Sequence, residues 1–222
     1  MRTPLQLRRL PSYTRGQEIA NMVTHIVGGG LGVVILIVAV LLSAFHQNVW
    51  GIVGGSIYGT SLICLYTVSS VYHGLTHVMG KKVMQVIDHC TIYFLIAGSY
   101  TPILLSAIRP IAPIAAWVVF GVEWGLTALA VVFTAIDHHR YRVFSMIGYI
   151  GLGWCVIFIL KDAVHALGNS GFLWLLAGGV AYTIGAVLYG VGSKKPMFHT
   201  VFHCFVVLGS ILHAVAVLGY AL

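Results

Sequence analysis

Residues 22–44, MVTHIVGGGLGVVILIVAVLLSA, contain no acidic residue, no lysine and no arginine. A helix of that length rises about 35 Å, enough to cross the ~30 Å hydrocarbon layer of a bilayer. Outward from this run the pattern recurs at about 49–73, 85–107, 112–135, 143–161, 172–192 and 198–221. The chain therefore reads as all-α: a polytopic membrane protein whose residues 22–222 form one seven-transmembrane-helix bundle. Residues 1–21 form a basic arm with Arg2, Arg8, Arg9 and Arg15. The arm is expected to stay uncleaved, because the apolar run after it is too long for a signal-peptide core.

Composition agrees. The 222 residues are 59% hydrophobic and 8% charged. No soluble core needs so much apolar sequence at this length. The net charge of +7 lies in short interhelical stretches. That placement suits lipid headgroups, so membrane lipids are the expected partners and nucleic acid is not. Cys64, Cys90, Cys155 and Cys204 fall in apolar segments without a CxxC, which predicts buried thiols and no disulfide framework. Gly51, Gly55 and Gly59 recur every fourth residue, which predicts a close helix–helix approach.

Seven spans would put the termini on opposite sides. Ten of the Lys and Arg residues then share the side of the N-terminal arm, with Lys81, Lys82, Arg140, Arg142, Lys194 and Lys195 among them. Only Arg109 and Lys161 lie on the other. The positive-inside rule makes the N-terminus cytoplasmic and the C-terminus outside.

That orientation gives the polar residues depths. His73 closes the second run, Asp88 opens the third, and His199 and His203 open the last. All fall within one to two turns of the cytoplasmic interface. His199 and His203 are i and i+4, so they share a helix face and can grip one ion. His73 could add a third nitrogen, leaving a position for water as in catalytic zinc sites. Asp88 could take that water's proton, and Ser69, one turn before His73, could hydrogen bond water or a substrate carbonyl. The competing reading is that these histidines simply meet water and headgroups.

Other polar residues read differently. His77 makes a second HxxxH with His73 but is expected to face water. His89 points about 100° away from Asp88. His213 lies on the stripe of His199 but about 20 Å deeper, at a depth similar to Glu123. Those two could be a structural pair or a proton path. Glu18, Asn21, Thr24 and His25 form one polar face, expected to support ligands or packing. Cys204 lies off the ligand face.

The stretches EIANMVTHIVGG (18–29), SSVYHGL (69–75), DHCTIYFLIAGSYTP (88–102) and HTVFHCFVVLGSILH (199–213) resemble the bacterial hemolysin III proteins. These stand within the superfamily of progestin and adipoQ receptors and alkaline ceramidases. The resemblance implies a Zn2+ ion held by His73, His199 and His203, with Asp88 against its water and Ser69 close by. It also implies a cytoplasmic N-terminus, the bacterial inner membrane, and hydrolysis of a lipid amide or ester in membrane-lipid homeostasis. Two alternatives stand beside that function. One is a non-enzymatic fluidity sensor or cytolytic protein with structural zinc; the other is a proton-coupled transporter using Glu123 and His213. Spacing alone leaves open the metal, the substrate and the oligomeric state.

Overall fold

The apolar runs fold as helices. A computed structural model describes residues 3–192 and 197–222, so Lys194 and Lys195 lie outside the described residues. Helix α1 spans Arg15–Phe45, α2 Val49–Gly74, α3 Val78–Pro102, α4 Pro113–Asp137, α5 Arg142–Gly153, α6 Leu160–Gly192 and α7 Met197–Tyr220. No strand occurs among the described residues. Six helical stretches among them are long and apolar enough to cross a membrane. The runs expected at 143–161 and 172–192 fall in one of these, Arg142–Gly190, 49 residues long.

That long stretch is interrupted. After Trp154 the chain tightens into a 3-10 segment, Cys155–Ile159, and at Gly168 it leaves helical geometry altogether (φ 66, ψ 170). Only glycine takes that conformation freely. On either side of the break the pairs run in opposite order. Trp154 Nε1 donates to Thr183 Oγ1 at 3.0 Å, while Met146 packs beside Gly190. Residues 142–167 and 169–192 are therefore antiparallel.

The third helix starts earlier than its hydropathy suggests. His77 caps it by accepting from Gly80 N–H, so Gly80, Lys81 and Lys82 are helical. Lys81 is buried because its ammonium reaches Glu18 Oε1 at 2.7 Å. At the other end Pro102, which cannot donate to the ladder, precedes a π-helical segment, Ile103–Ile108.

The expected small-residue seam is present. A Cβ on Gly51, Gly55 or Gly59 would lie 2.6 Å from Ser43, 2.8 Å from Ala39 or 2.5 Å from Leu36, all on α1. Close approach of this kind drives association where water supplies no hydrophobic force. Gly59→Ala puts its methyl against the Leu36 backbone, so a loss of about 1–3 kcal/mol is expected. Gly30, with open space around it, is the control: Ala there should gain about 0.5–1 kcal/mol. Thermal unfolding of the two variants in detergent reads the difference.

Polarity is distributed as a lipid solvent requires. Large apolar side chains such as Val34, Leu41 and Phe158 are exposed on the outside. Inside, Tyr66 OH donates to Ser210 Oγ at 2.7 Å, Tyr58 OH donates to Ser210 C=O at 3.0 Å, and the Tyr182 and Ser210 hydroxyls lie 2.8 Å apart. Buried polar groups in a membrane bundle must find partners within the protein. Cys64 and Cys204 are also on the exposed face, unlike the buried Cys90 and Cys155, and all four are free. The expectation of four buried thiols thus fails for the two that face outward, where lipid replaces protein packing.

Candidate metal centre

Four helix ends build the site. Thr14 and Gln17 cap α1 reciprocally, and the first turns then present Glu18, Asn21 and His25 on one face. The last two turns of α2 carry Ser69, Tyr72 and His73. The first turns of α3 carry Lys81, Gln85 and Asp88, and those of α7 carry His199 and His203.

Three imidazoles meet there. His73 Nε2 lies 3.4 Å from His199 Nε2, which lies 3.1 Å from His203 Nε2. All three residues are buried, and they form a group that could hold a metal ion. Two nitrogens on a tetrahedral ion with bonds of about 2.0–2.1 Å sit about 3.3 Å apart. The observed separations fit that edge. The tautomer also fits. His73 Nδ1 is 2.6 Å from Glu18 Oε2, and a carboxylate there accepts, so Nδ1 carries the proton and Nε2 keeps its lone pair. Lys81 on the other Glu18 oxygen holds the carboxylate in place.

Asp88 and Ser69 stand beside the histidine trio. Ser69 lies against the Asp88 carboxylate, and both line an apolar cavity together with His25 and His203. Asp88 is outside the three-nitrogen group. The cavity continues between helices past Leu65, Ile96 and Val206. The five residues singled out in the sequence thus occupy one region, with the carboxylate and hydroxyl on the cavity wall.

The expected supporting face of α1 is realised at three of its four positions. Glu18 accepts from His73 Nδ1–H, and Asn21 packs beside the same nitrogen, its Nδ2 3.5 Å away as a neighbour and not as a hydrogen-bond partner. His25 stacks on His203 with centroids 3.8 Å apart, and neither of its ring nitrogens has a partner. Thr24 instead donates to its own helix, at Ala20 C=O. His77 is exposed, as expected. His89 donates from Nδ1 to Gln85 C=O at 2.7 Å and accepts from Tyr189 OH at 2.9 Å.

Glu123 and His213 do not pair. His213 Nε2 donates to Leu175 C=O at 3.2 Å, on α6, whereas Glu123 lies against Cys155 and neither carboxyl oxygen has a close partner. Equal depth placed them together in the sequence, but Glu123 is on α4, which packs on α3 and α5, and His213 is on α7, which packs on α1 and α6.

Two participants have no legible signal. Tyr13 folds back from the arm and stacks on His199, with centroids 5.0 Å apart and planes 22° apart. Burial pushes its phenol above the usual range. Arg8 is buried at the end of α4, donating to Ile136 C=O at 2.7 Å and facing Asp137. Nothing in the arm before α1 announces where it docks.

Comparison with known proteins agrees with this architecture. A family model described as "Haemolysin-III related" matches residues 13–214. The "Hemolysin-3 homolog" of Bacillus subtilis (strain 168) is 34% identical over 208 residues, covering 94% of this chain and 96% of that protein. "Hemolysin-3" of Bacillus cereus is 33% identical over 217 residues, covering 98% and 97%. The human "Monocyte to macrophage differentiation factor" is 28% identical over 212 residues, covering 92% and 84%.

Proposed function

The chain belongs to the haemolysin-III related family of integral membrane proteins, and from that premise we propose that it is a zinc-dependent hydrolase of lipid amides or esters. The observation that carries this reading is the meeting of three buried Nε2 atoms beside an apolar cavity that also holds Asp88 and Ser69.

His73, His199 and His203 would hold the zinc. When bound, the ion polarises a carbonyl and lowers the pKa of water to about 7. The chain's own residues do the rest. Asp88 accepts the proton of the attacking water and returns it to the departing amine or alcohol. Ser69 orients that carboxylate. Glu18 keeps the His73 lone pair directed inward, and Lys81 keeps Glu18 charged and fixed. The apolar cavity takes the acyl chain and excludes bulk water.

Topology follows the charge count. The break at Gly168 and the antiparallel pairs around it support two crossings within Arg142–Gly190, which brings the spans to seven. The N-terminus is then cytoplasmic, and the histidine trio lies near the cytoplasmic face of a bacterial plasma membrane.

The test is hydrolysis of N-acyl and O-acyl lipids by purified protein in nanodiscs. Turnover should vanish on chelation and return with zinc. Absence of turnover in zinc-loaded protein would leave the second reading, which the relatives' name favours: a membrane-perturbing protein in which zinc is structural. Release of dye from liposomes is its signature.

A further inference from the structure

The arm before α1 crosses the end of the bundle that holds the histidines. Its contacts run from α4 past α3 to α7. Thr3 N–H donates to Asp137 Oδ2 at 2.8 Å, Lys82 Nζ donates to Gln6 C=O, and Tyr13 stacks on His199. Helix α1 then begins behind the Thr14 cap.

Arg8 is the anchor. It is only 3% exposed. Its guanidinium donates to Ile136 C=O at 2.7 Å, to Thr3 C=O at 3.1 Å and to His138 Nδ1 at 3.3 Å, with Asp137 Oδ1 3.9 Å away. A buried guanidinium is stable only while such partners surround it, so the anchor holds one position and resists withdrawal. Tyr13, five residues further on, can lie no more than about 18 Å from it. Anchor and cap therefore tether Tyr13 from both sides.

Between the anchor and α1 the arm walls a cavity. Residues 10–13 form one side of a space of about 300 Å³ whose other walls include Gln85, His89 and His199. This is the polar approach to the histidine trio, whereas His203 lines the apolar cavity on the other side. A hydrated cation sheds its water in an apolar channel at great cost, so it travels by the polar side. There the Tyr13 ring covers His199, with planes 22° apart, and lies 5.8 Å from the His73 ring. The arm is also the part that can move. Apart from the single turn Leu5–Leu7 it has no helix, and Pro11 and Ser12 are exposed. A segment held by a few side chains opens at less cost than the helices beneath it.

We propose that residues 3–14 form a hinged cover over the metal centre, latched by Arg8 and sealed by Tyr13, and that the ion enters and leaves only when the cover lifts. This role rests on the metal-centre reading and holds whether or not the protein hydrolyses lipids.

Zinc uptake by metal-free protein and zinc release to excess EDTA are timed in detergent for the wild type, Arg8→Gln and Tyr13→Ala. A cover sets both rates and leaves the equilibrium alone. Both variants should therefore take up and release zinc at least about tenfold faster than wild type, with Kd within a few-fold of it. Tyr13→Ala leaves the latch intact and decides the matter if the buried Arg8 variant does not fold. Rates equal to wild type overturn the proposal. So does a change in one rate alone, which is a change in affinity and makes Tyr13 a support for His199 with no gating role. A wild type that takes up no zinc overturns the metal centre together with its cover; one that takes up zinc but fails the rate comparison loses only the cover.

Discussion

His203→Ala is expected to reduce bound zinc from about one ion per chain to nearly none. The substitution removes one of three nitrogens whose neighbours already sit at metal-edge distance, and two imidazoles do not retain zinc through purification as three do. Hydrolysis should fall by at least about a thousandfold, because the ion's Lewis-acid contribution is several kcal/mol and each 1.36 kcal/mol is a decade. His25→Ala is the informative control. His25 stacks on His203 but stands outside the ligand group, so its loss should leave zinc near stoichiometric. Elemental analysis of both variants separates a ligand from a packing residue. Zinc retained in His203→Ala would remove that residue from the ligand set.

Asp88→Asn should do the opposite: keep the metal and lose the rate. Asparagine matches aspartate in shape and stays beside Ser69 on the cavity wall, but it cannot accept the water's proton. Removal of a general base of this kind costs about a hundredfold to ten-thousandfold in turnover. The measurement is kcat on an acyl lipid alongside zinc content. A rate within a few-fold of wild type would show that Asp88 shapes the cavity and does not move protons. If the protein acts by sensing or perturbing the membrane, the same variant should keep its full effect.

Much of this arrangement is legible in the chain, for physical reasons. In a protein with five acidic residues and long apolar runs, each polar residue inside a run needs a reason to be there. That scarcity makes His73, Asp88, His199 and His203 stand out, and i,i+4 geometry pairs the last two histidines. The seam of Gly51, Gly55 and Gly59 is readable because helical periodicity survives burial. The start of α3 is not, since Gly80, Lys81 and Lys82 have the composition of a loop, and it is the distant Glu18, with the His73 and Leu75 carbonyls, that lets Lys81 turn inward as part of a helix. Arg142–Gly190 has a similar ambiguity: hydropathy sees two runs, the backbone stays helical through much of the interval, and the break falls at one glycine. The docking of Tyr13 on His199 depends on tertiary contacts with no periodic signature.

Three imidazole nitrogens from α2 and α7 are placed to clasp one cation. Zinc K-edge X-ray absorption on protein purified without added metal tests this most directly. The expected spectrum shows a light-atom shell at about 2.0–2.1 Å with the outer-shell scattering of about three imidazole rings. Protein free of metal, or a shell of sulfur or of oxygen without imidazole scattering, would contradict it.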